Sequence, residues 1–185
     1  RITEQKVVDF LLKSDADTAR FPSDQEFTTA WLTRTSYQNL AQYKIRAILG
    51  ALDIAFETSK SESLALPDTL TIEHVLPVTW QTNWPLGLDD PDNIEEKLSS
   101  TESRNKILHS FGNLTLITGS LNPALSNGSW KDKKPELIKF SKLNLNRYFH
   151  DCDHWDEDAI IERGKGLLAK AQTIWAYPVV GKDNE

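Results

Sequence analysis

The first third of the chain carries apolar residues at the spacing of amphipathic helices. Residues 3–13, 23–33 and 38–59 each repeat Leu, Ile, Val or aromatic residues along one helical face. Thr3 and Ser23 stand where helix-capping residues are favoured, and acidic residues follow Ser23 in the first turn. The pattern predicts three helices that form a scaffold and contain no obvious catalytic residue.

Two shorter apolar runs follow the loop-like stretch SKSESLALPD. In the first, TLTIEHVLPVTW, Leu70 and Ile72 alternate with polar residues before Pro77 ends the run. The second, FGNLTLITGS, opens on a glycine and continues through aliphatic residues. Because short runs rich in branched residues favour extended backbone, they predict strands over residues 69–73 and 113–117.

The remaining segments again show helical periodicity. They predict helices over residues 97–109, 120–126, 131–140, 142–149 and 156–176. No apolar run approaches the roughly 18 residues that a membrane-spanning helix needs. Together the elements predict an α+β fold that is mostly α.

The length of 185 residues favours one compact domain. Within it we expect a helical scaffold at 1–60, a core with both strands at 61–150, and a C-terminal helix and tail at 151–185. The chain begins with Arg1 and contains no Met, so we expect it to be the C-terminal part of a longer protein. The single cysteine, Cys152, excludes an internal disulfide and is compatible with a cytoplasmic location.

Charge is unevenly distributed along the chain. The formal net charge of −6 argues against a general nucleic-acid binder. Residues 101–150 nevertheless hold eight Lys and Arg against three acidic residues, a local charge of +5 that leaves −11 for the remainder. This local excess is compatible with a surface that steers a polyanion, and equally with an ordinary solvated face.

Four polar residues stand at the strand ends and on the helix that follows. Glu73 and His74 end the first strand, Asn113 begins the second, and Asn122 lies nine positions later. An imidazole can take a proton from water near neutral pH, and carboxylate and amide oxygens are ligands for hard divalent cations. Adjacent side chains on a strand point to opposite faces, so Glu73 and His74 would need a bend at the strand end to reach one site.

Three motif blocks that contain these residues, EHVLP, GNLTLITGSLN and SNGSWKDKK, occur in the order found in HNH, or ββα-metal, nucleases. The sequence resembles most the C-terminal nuclease domain of GmrSD-type modification-dependent restriction enzymes, and it is also similar to SspE-like phage-defence proteins. The closing segment HWDEDAIIERGKGLLAKAQTIW extends the resemblance over most of the chain. The resemblance implies a small ββα-metal element embedded in the helical scaffold.

The resemblance also implies a role for each of the four polar residues. His74 would be the general base, and Asn113 would orient the loop that carries it. Glu73 and Asn122 would bind a divalent metal. Relatives often have Asp and His at these two positions, and the amide oxygen of Asn122 favours Mg²⁺ or Mn²⁺ over zinc.

The function implied by the resemblance is a metal-dependent DNA endonuclease or nickase in the restriction of modified or foreign phage DNA. Lys131, Lys133 and Lys134 would contact the DNA. An upstream sensing or nucleotide-hydrolysing domain of the same protein would select the target, no membrane would be involved, and a homo-oligomer is an open alternative to a single copy. The alternative function is a catalytically inactive module that binds nucleic acid or another protein.

Each candidate residue also has a structural interpretation. A histidine at a strand end is often a hydrogen-bonded structural residue, and we expect His109 to be structural as well. Asn113 after a glycine fits a turn, and Asn122 before Pro123 fits a helix cap. The three lysines also fit a solvated helix face.

The stretch HDCDHW is a competing candidate for a metal site. His150, Cys152 and His154 alternate in it, and one thiolate with two imidazoles is a three-ligand zinc set. Against this interpretation, Asp153 or Asp156 is needed as a helix cap and no fourth ligand is evident.

Overall fold

A computed structural model of the chain describes residues 2–16, 18–57, 70–118, 127–140 and 142–178. The elements follow one another as α1 (Glu4–Lys13), α2 (Asp24–Thr33), α3 (Ser36–Asn39), α4 (Gln42–Ala55), β1 (Leu70–His74), α5 (Ile94–Leu108), β2 (Leu114–Thr118), α6 (Trp130–Phe140) and α7 (Glu157–Ile174). Two 3₁₀ helices, Phe111–Asn113 and Asn144–Asp151, precede β2 and α7. The fold is α+β and mostly α, which confirms the predicted class. In the described ranges, no helix is both long and apolar enough to cross a membrane.

Polar side chains fix where several helices begin. The hydroxyl of Thr3 accepts a hydrogen bond from the Lys6 amide, and Ser23 forms a reciprocal capping box with Glu26. The carboxylate of Asp156 caps α7 in the same way. The first, second and last predicted helices are therefore confirmed, each with a cap that is visible in the sequence.

Other boundaries differ from the prediction. The segment predicted as one helix over 38–59 is a short helix followed by a longer one, because Leu40 is extended between α3 and α4. Helix α5 begins earlier than predicted, at the cap residue Asn93. The segment 142–149 lies largely in a 3₁₀ helix, and the short helix predicted over 120–126 lies outside the described residues.

Strands β1 and β2 pair in antiparallel orientation. In their register, Leu70 lies opposite Thr118 and His74 lies opposite Leu114. Each strand begins and ends one residue later than predicted, so that His74 is the last paired residue of β1. The amide of Val75 then donates to the carbonyl of Asn113 at 2.9 Å, and this bond holds the end of β1 next to the start of β2.

The sheet lies between two apolar clusters. On one face, Leu114 and Leu116 pack with residues of α2, α4 and α7, and on the other face Ile117 packs with the segment after β1 and with α6. Because side chains alternate along a strand, His74 points toward the first cluster and Glu73 toward the second. The two neighbouring candidate residues are therefore separated by the thickness of the sheet.

Helix α7 approaches the turn before β2 very closely. A Cβ atom added to Gly112 would lie 2.1 Å from the carbonyl oxygen of Ile160, so only glycine fits there without a backbone shift. The guanidinium of Arg163, which is buried in α7, donates to the carbonyl oxygens of Gly112 and Leu114 at 2.7 Å and 2.9 Å. These contacts fix the short turn that carries Asn113.

Candidate active site

His74 lies at the end of β1 and is half-buried between two other rings. Its Nε2 atom lies 3.1 Å from Nδ1 of His109, the C-cap residue of α5. The ring of Tyr37 in α3 meets the His74 ring edge to face, with centroids 4.5 Å apart, and lies nearly parallel to the His109 ring at 5.9 Å. The N-terminal scaffold therefore contributes a side chain that touches both imidazoles.

The environment of both histidines lowers their pKa and so favours the neutral form. Burial lowers the pKa of His74 to about 4, and a positive charge on His109, when that ring is protonated, or on Lys133 acts in the same direction. Burial also lowers the pKa of His109. A neutral imidazole has a nitrogen lone pair, which is what a group needs to accept a proton from water.

Asn113 is fully buried and uses both ends of its side-chain amide. Its Oδ1 accepts from the Leu76 amide at 2.8 Å and from the Trp155 indole at 3.1 Å. Its Nδ2 donates to the carbonyl oxygens of Leu76 at 2.8 Å and Leu108 at 2.9 Å. The side chain therefore ties the segment just after His74 to the end of α5, one residue before His109.

Glu73 makes a buried ion pair on the opposite face of the sheet. The Nζ atom of Lys133 donates to Oε1 of Glu73 and to the backbone carbonyl of His74, both at 2.8 Å, and both side chains of the pair are almost completely buried. Burial raises the pKa of the Glu73 carboxyl, and the Lys133 ammonium opposes that rise. In the described part of the chain, no hydrogen bond occupies the second oxygen of Glu73.

The lysines of α6 have different environments. Lys133, predicted to contact DNA, is instead an internal partner of Glu73, because α6 packs against the sheet and turns this side chain inward. Lys131 is exposed, and Lys134 is partly exposed with Asp153 at 3.9 Å. Arg104 is also internal and is paired with a glutamate of α7, so part of the positive charge of residues 101–150 is not on the surface.

The candidate metal ligands are placed only in part. Asn122 lies outside the described residues. Across the described ranges, no three His, Cys, Asp or Glu side chains lie close enough to hold a metal ion together. In the HDCDHW stretch, the thiol of Cys152 donates to the carbonyl of His154 at 2.8 Å, and the His154 ring lies 3.5 Å from Asp156. The competing zinc set is therefore not assembled there.

Three features of the site were not recognised in the sequence. Tyr37 and His109 lie far from His74 along the chain, and they meet it only because α3 and the end of α5 pack beside β1. The internal position of Lys133 depends on how α6 docks under the sheet. One sequence signal was available for His109, because it stands only a few residues before the GNLTL block that carries Asn113.

A neutral imidazole held at a strand end by neighbouring rings can accept a proton from water, as the general base of a hydrolase does. The family comparison identifies which kind. The model of the GmrSD restriction endonuclease C-terminal domain matches residues 21–170, and the chain belongs to this family. Membership confirms the resemblance found in the sequence and indicates restriction endonuclease function. A comparison with curated proteins gave no match.

Proposed function

We propose that the chain is an HNH-type, metal-dependent endonuclease or nickase domain that hydrolyses DNA phosphodiester bonds, in the restriction of modified or foreign phage DNA. One observation carries the proposal: His74 presents a neutral, half-buried imidazole at the end of β1, fixed between Tyr37 and His109. A general base must be uncharged and held in place before the substrate arrives. The site meets both conditions.

In the proposed reaction, His74 accepts a proton from the water that attacks the phosphorus atom. Asn113 is a positioning residue, because its four hydrogen bonds hold the backbone on both sides of the site. In the proposed complex Lys131, which is exposed, and Lys134, which is partly exposed, contact the DNA backbone from α6. Their contacts are independent of base sequence, so target choice comes from elsewhere.

Glu73 and Asn122 would hold the Mg²⁺ or Mn²⁺ ion of the proposed reaction. Hard oxygen donors suit these ions, which often take one or two carboxylates and complete their shell with water and substrate phosphate. Glu73 fits this requirement in donor type and charge, since one of its oxygens is unoccupied by the described residues and the Lys133 ammonium favours its ionised form. Because Glu73 and His74 lie on opposite faces of β1, the strand end must bend for both to reach one ion. When bound, the ion would stabilise the charge that develops on the phosphate and on the leaving oxygen.

The proposed partners are double-stranded DNA and an upstream sensing or nucleotide-hydrolysing region of the same protein. The acidic net charge of −6 supports this division of labour, because a domain with that charge is not expected to hold DNA tightly by itself. A second copy of the chain remains an alternative partner.

The proposal is tested by incubating supercoiled plasmid with the purified chain and Mg²⁺ or Mn²⁺, beside EDTA and His74→Ala. We expect relaxation or linearisation that both EDTA and the substitution abolish. His154→Ala is the matched control, since this side chain is largely exposed and pairs with Asp156, and it should cleave as the wild type does. Cleavage that survives His74→Ala would contradict the assignment of the base.

The Glu73–Lys133 ion pair favours one other function, a catalytically inactive module that binds nucleic acid or protein. An ammonium group on a carboxylate oxygen competes with a metal ion for the same negative charge. This function predicts no stabilisation by divalent metal. A thermal melt with Mn²⁺ against EDTA separates the two, because a ligand that binds only the folded protein must raise its melting temperature.

A further inference from the structure

The hydrogen bond between His74 and His109 contains one proton, which is carried either by His74 or by His109. Nε2 of His74 and Nδ1 of His109 are 3.1 Å apart, which is a hydrogen-bond distance. Two neutral imidazoles can form this bond only if one nitrogen carries the proton and the other offers its lone pair. The two possible arrangements have opposite consequences for His74.

In the first arrangement, Nε2 of His74 is protonated and donates to His109. Its Nδ1 atom then carries the lone pair and can accept a proton from water. In the second arrangement, His109 donates to Nε2 of His74, so the proton of His74 must sit on Nδ1. Both nitrogens of His74 are then in use, and the ring has no lone pair left for catalysis.

The surroundings of the pair agree with the first arrangement. Within the described part of the chain, Nδ1 of His74 has no hydrogen-bond partner, so its lone pair is available to an incoming water molecule. Once His74 accepts a proton, its ring is positively charged and donates from Nε2 to an acceptor that is already in place. A hydrogen bond to a charged group is stronger than one between neutral groups, and this favours the protonated product.

We propose that His109 is a positioning residue of the nuclease, whose unprotonated Nδ1 accepts the Nε2 proton of His74 and thereby keeps Nδ1 of His74 free as the base. The inference rests on the proposed function of His74. The role is comparable to that of any acceptor that fixes the tautomer of a catalytic or metal-binding histidine. His109 itself does not touch the reacting atoms.

The position of His109 is fixed by the N-terminal scaffold. The amide of Tyr37 donates to the carbonyl of His109 at 3.0 Å, and the Tyr37 ring lies against the His109 ring with an angle of 17° between their planes. The hydroxyl of Tyr37 accepts from Gln42 at the start of α4. Helices α3 and α4 therefore hold the acceptor against His74, which gives the scaffold a direct part in the site.

Two substitutions at His109 separate this role from simple packing. His109→Asn keeps an acceptor oxygen close to the position of Nδ1, whereas His109→Leu fills similar space without an acceptor. We expect His109→Leu to lower the plasmid cleavage rate by roughly 10-fold to 100-fold, the usual effect of losing such a partner. His109→Asn should restore most of the rate. His154→Ala is the control, because this histidine is largely exposed and pairs with Asp156, so it should change neither the cleavage rate nor the His74 ring shifts.

A second readout does not depend on cleavage. The ¹⁵N chemical shifts of the His74 ring, measured on the labelled protein without metal or DNA, report which nitrogen carries the proton. We expect the Nε2–H form in the wild type and in His109→Asn, and a mixture of both forms in His109→Leu. This measurement requires only folded protein, so it tests the hydrogen bond even if the proposed function fails.

The two readouts distinguish the possible failures. A wild type that cleaves no DNA yet holds His74 in the Nε2–H form would support the hydrogen bond and contradict the nuclease assignment. A wild-type His74 in the Nδ1–H form would overturn the inference, whatever the activity. So would a His109→Leu variant that changes neither the ring shifts nor the cleavage rate.

Discussion

Replacing Asn113 with alanine should destabilise the fold more than any other single amide deletion near the site. The substitution removes four hydrogen bonds at once and leaves the backbone of Leu76, the carbonyl of Leu108 and the indole of Trp155 without their partner. All of these groups surround a side chain that is completely buried. Water cannot replace the lost bonds without entering the core.

The size of the effect follows from these contacts. A typical intramolecular hydrogen bond contributes about 1 kcal/mol net, so four bonds give a loss of about 4 kcal/mol in the free energy of unfolding. For a chain of this length, 1 kcal/mol corresponds to about 2–4 °C in Tm, so we expect Tm to fall by about 8–16 °C. Urea denaturation followed by tryptophan fluorescence measures the same loss at 25 °C.

Asn105→Ala is the matched control. Its side chain is exposed and makes one hydrogen bond, accepting from the Trp80 indole at 3.2 Å, so we expect a loss of no more than about 1 kcal/mol. Asn113→Asp is a second comparison, because it keeps an acceptor for Leu76 but turns a carboxylate oxygen toward two carbonyls. It should destabilise at least as much as alanine. Equal stability of Asn113→Ala and Asn105→Ala would refute this account of the turn.

Three further predictions follow from the geometry. Burial holds the pKa of His74 at about 4, below its ordinary value of 6.5. In metal-free buffer the free energy of unfolding should therefore fall by about 2 kcal/mol as the pH is lowered from 7.5 to 5.0, because the unfolded chain takes up the proton first. The loss should be smaller in His74→Gln. Lys133→Met should cost about 3–5 kcal/mol in urea denaturation, because it leaves the Glu73 carboxylate buried without a counter-ion. Gly112→Ala should lower the free energy of unfolding by about 1–3 kcal/mol, because the added methyl group overpacks against α7. Gly166→Ala, on α7 itself, places its methyl group in open space and should raise that free energy by up to about 1 kcal/mol.

Each of these predictions has an outcome that would contradict it. A His74→Gln variant that loses as much stability in acid as the wild type would show that another group titrates in that window. A Lys133→Met variant as stable as the wild type would mean that the ion pair contributes nothing net, and adding Glu73→Gln to it should then change little. Equal effects of the two glycine substitutions would show that α7 can move away from the turn.

The sequence predicted those parts of the fold that depend on local signals. Thr3, Ser23 and Asp156 are caps, and a side-chain oxygen followed by a free amide defines a helix start without help from the rest of the chain. Strand alternation also indicated that Glu73 and His74 could reach one site only through a bend at the strand end, and in the structure both remain paired in β1 and face opposite sides. The local signals missed the extended Leu40 between α3 and α4, which packs against the first apolar cluster, the earlier start of α5 and the 3₁₀ conformation of Asn144–Asp151.

The site itself was predicted less completely than the fold. A lysine two positions after Lys131 on a helix is most often solvated, and nothing local shows that Lys133 turns under the sheet to meet Glu73. The contact of His74 with His109 joins positions 35 residues apart, and Tyr37 comes from yet another element. Contacts of this kind depend on how helices dock, which local patterns do not encode.

The central claim is that His74 removes a proton from water during DNA cleavage, and chemical rescue tests it most directly. His74→Ala opens a space of ring size between Tyr37 and His109, which free imidazole can enter. We predict that the variant cleaves plasmid far more slowly than the wild type with Mg²⁺, and that added imidazole restores part of the rate in proportion to its concentration. A His74→Ala variant that cleaves at the wild-type rate without imidazole would contradict the account.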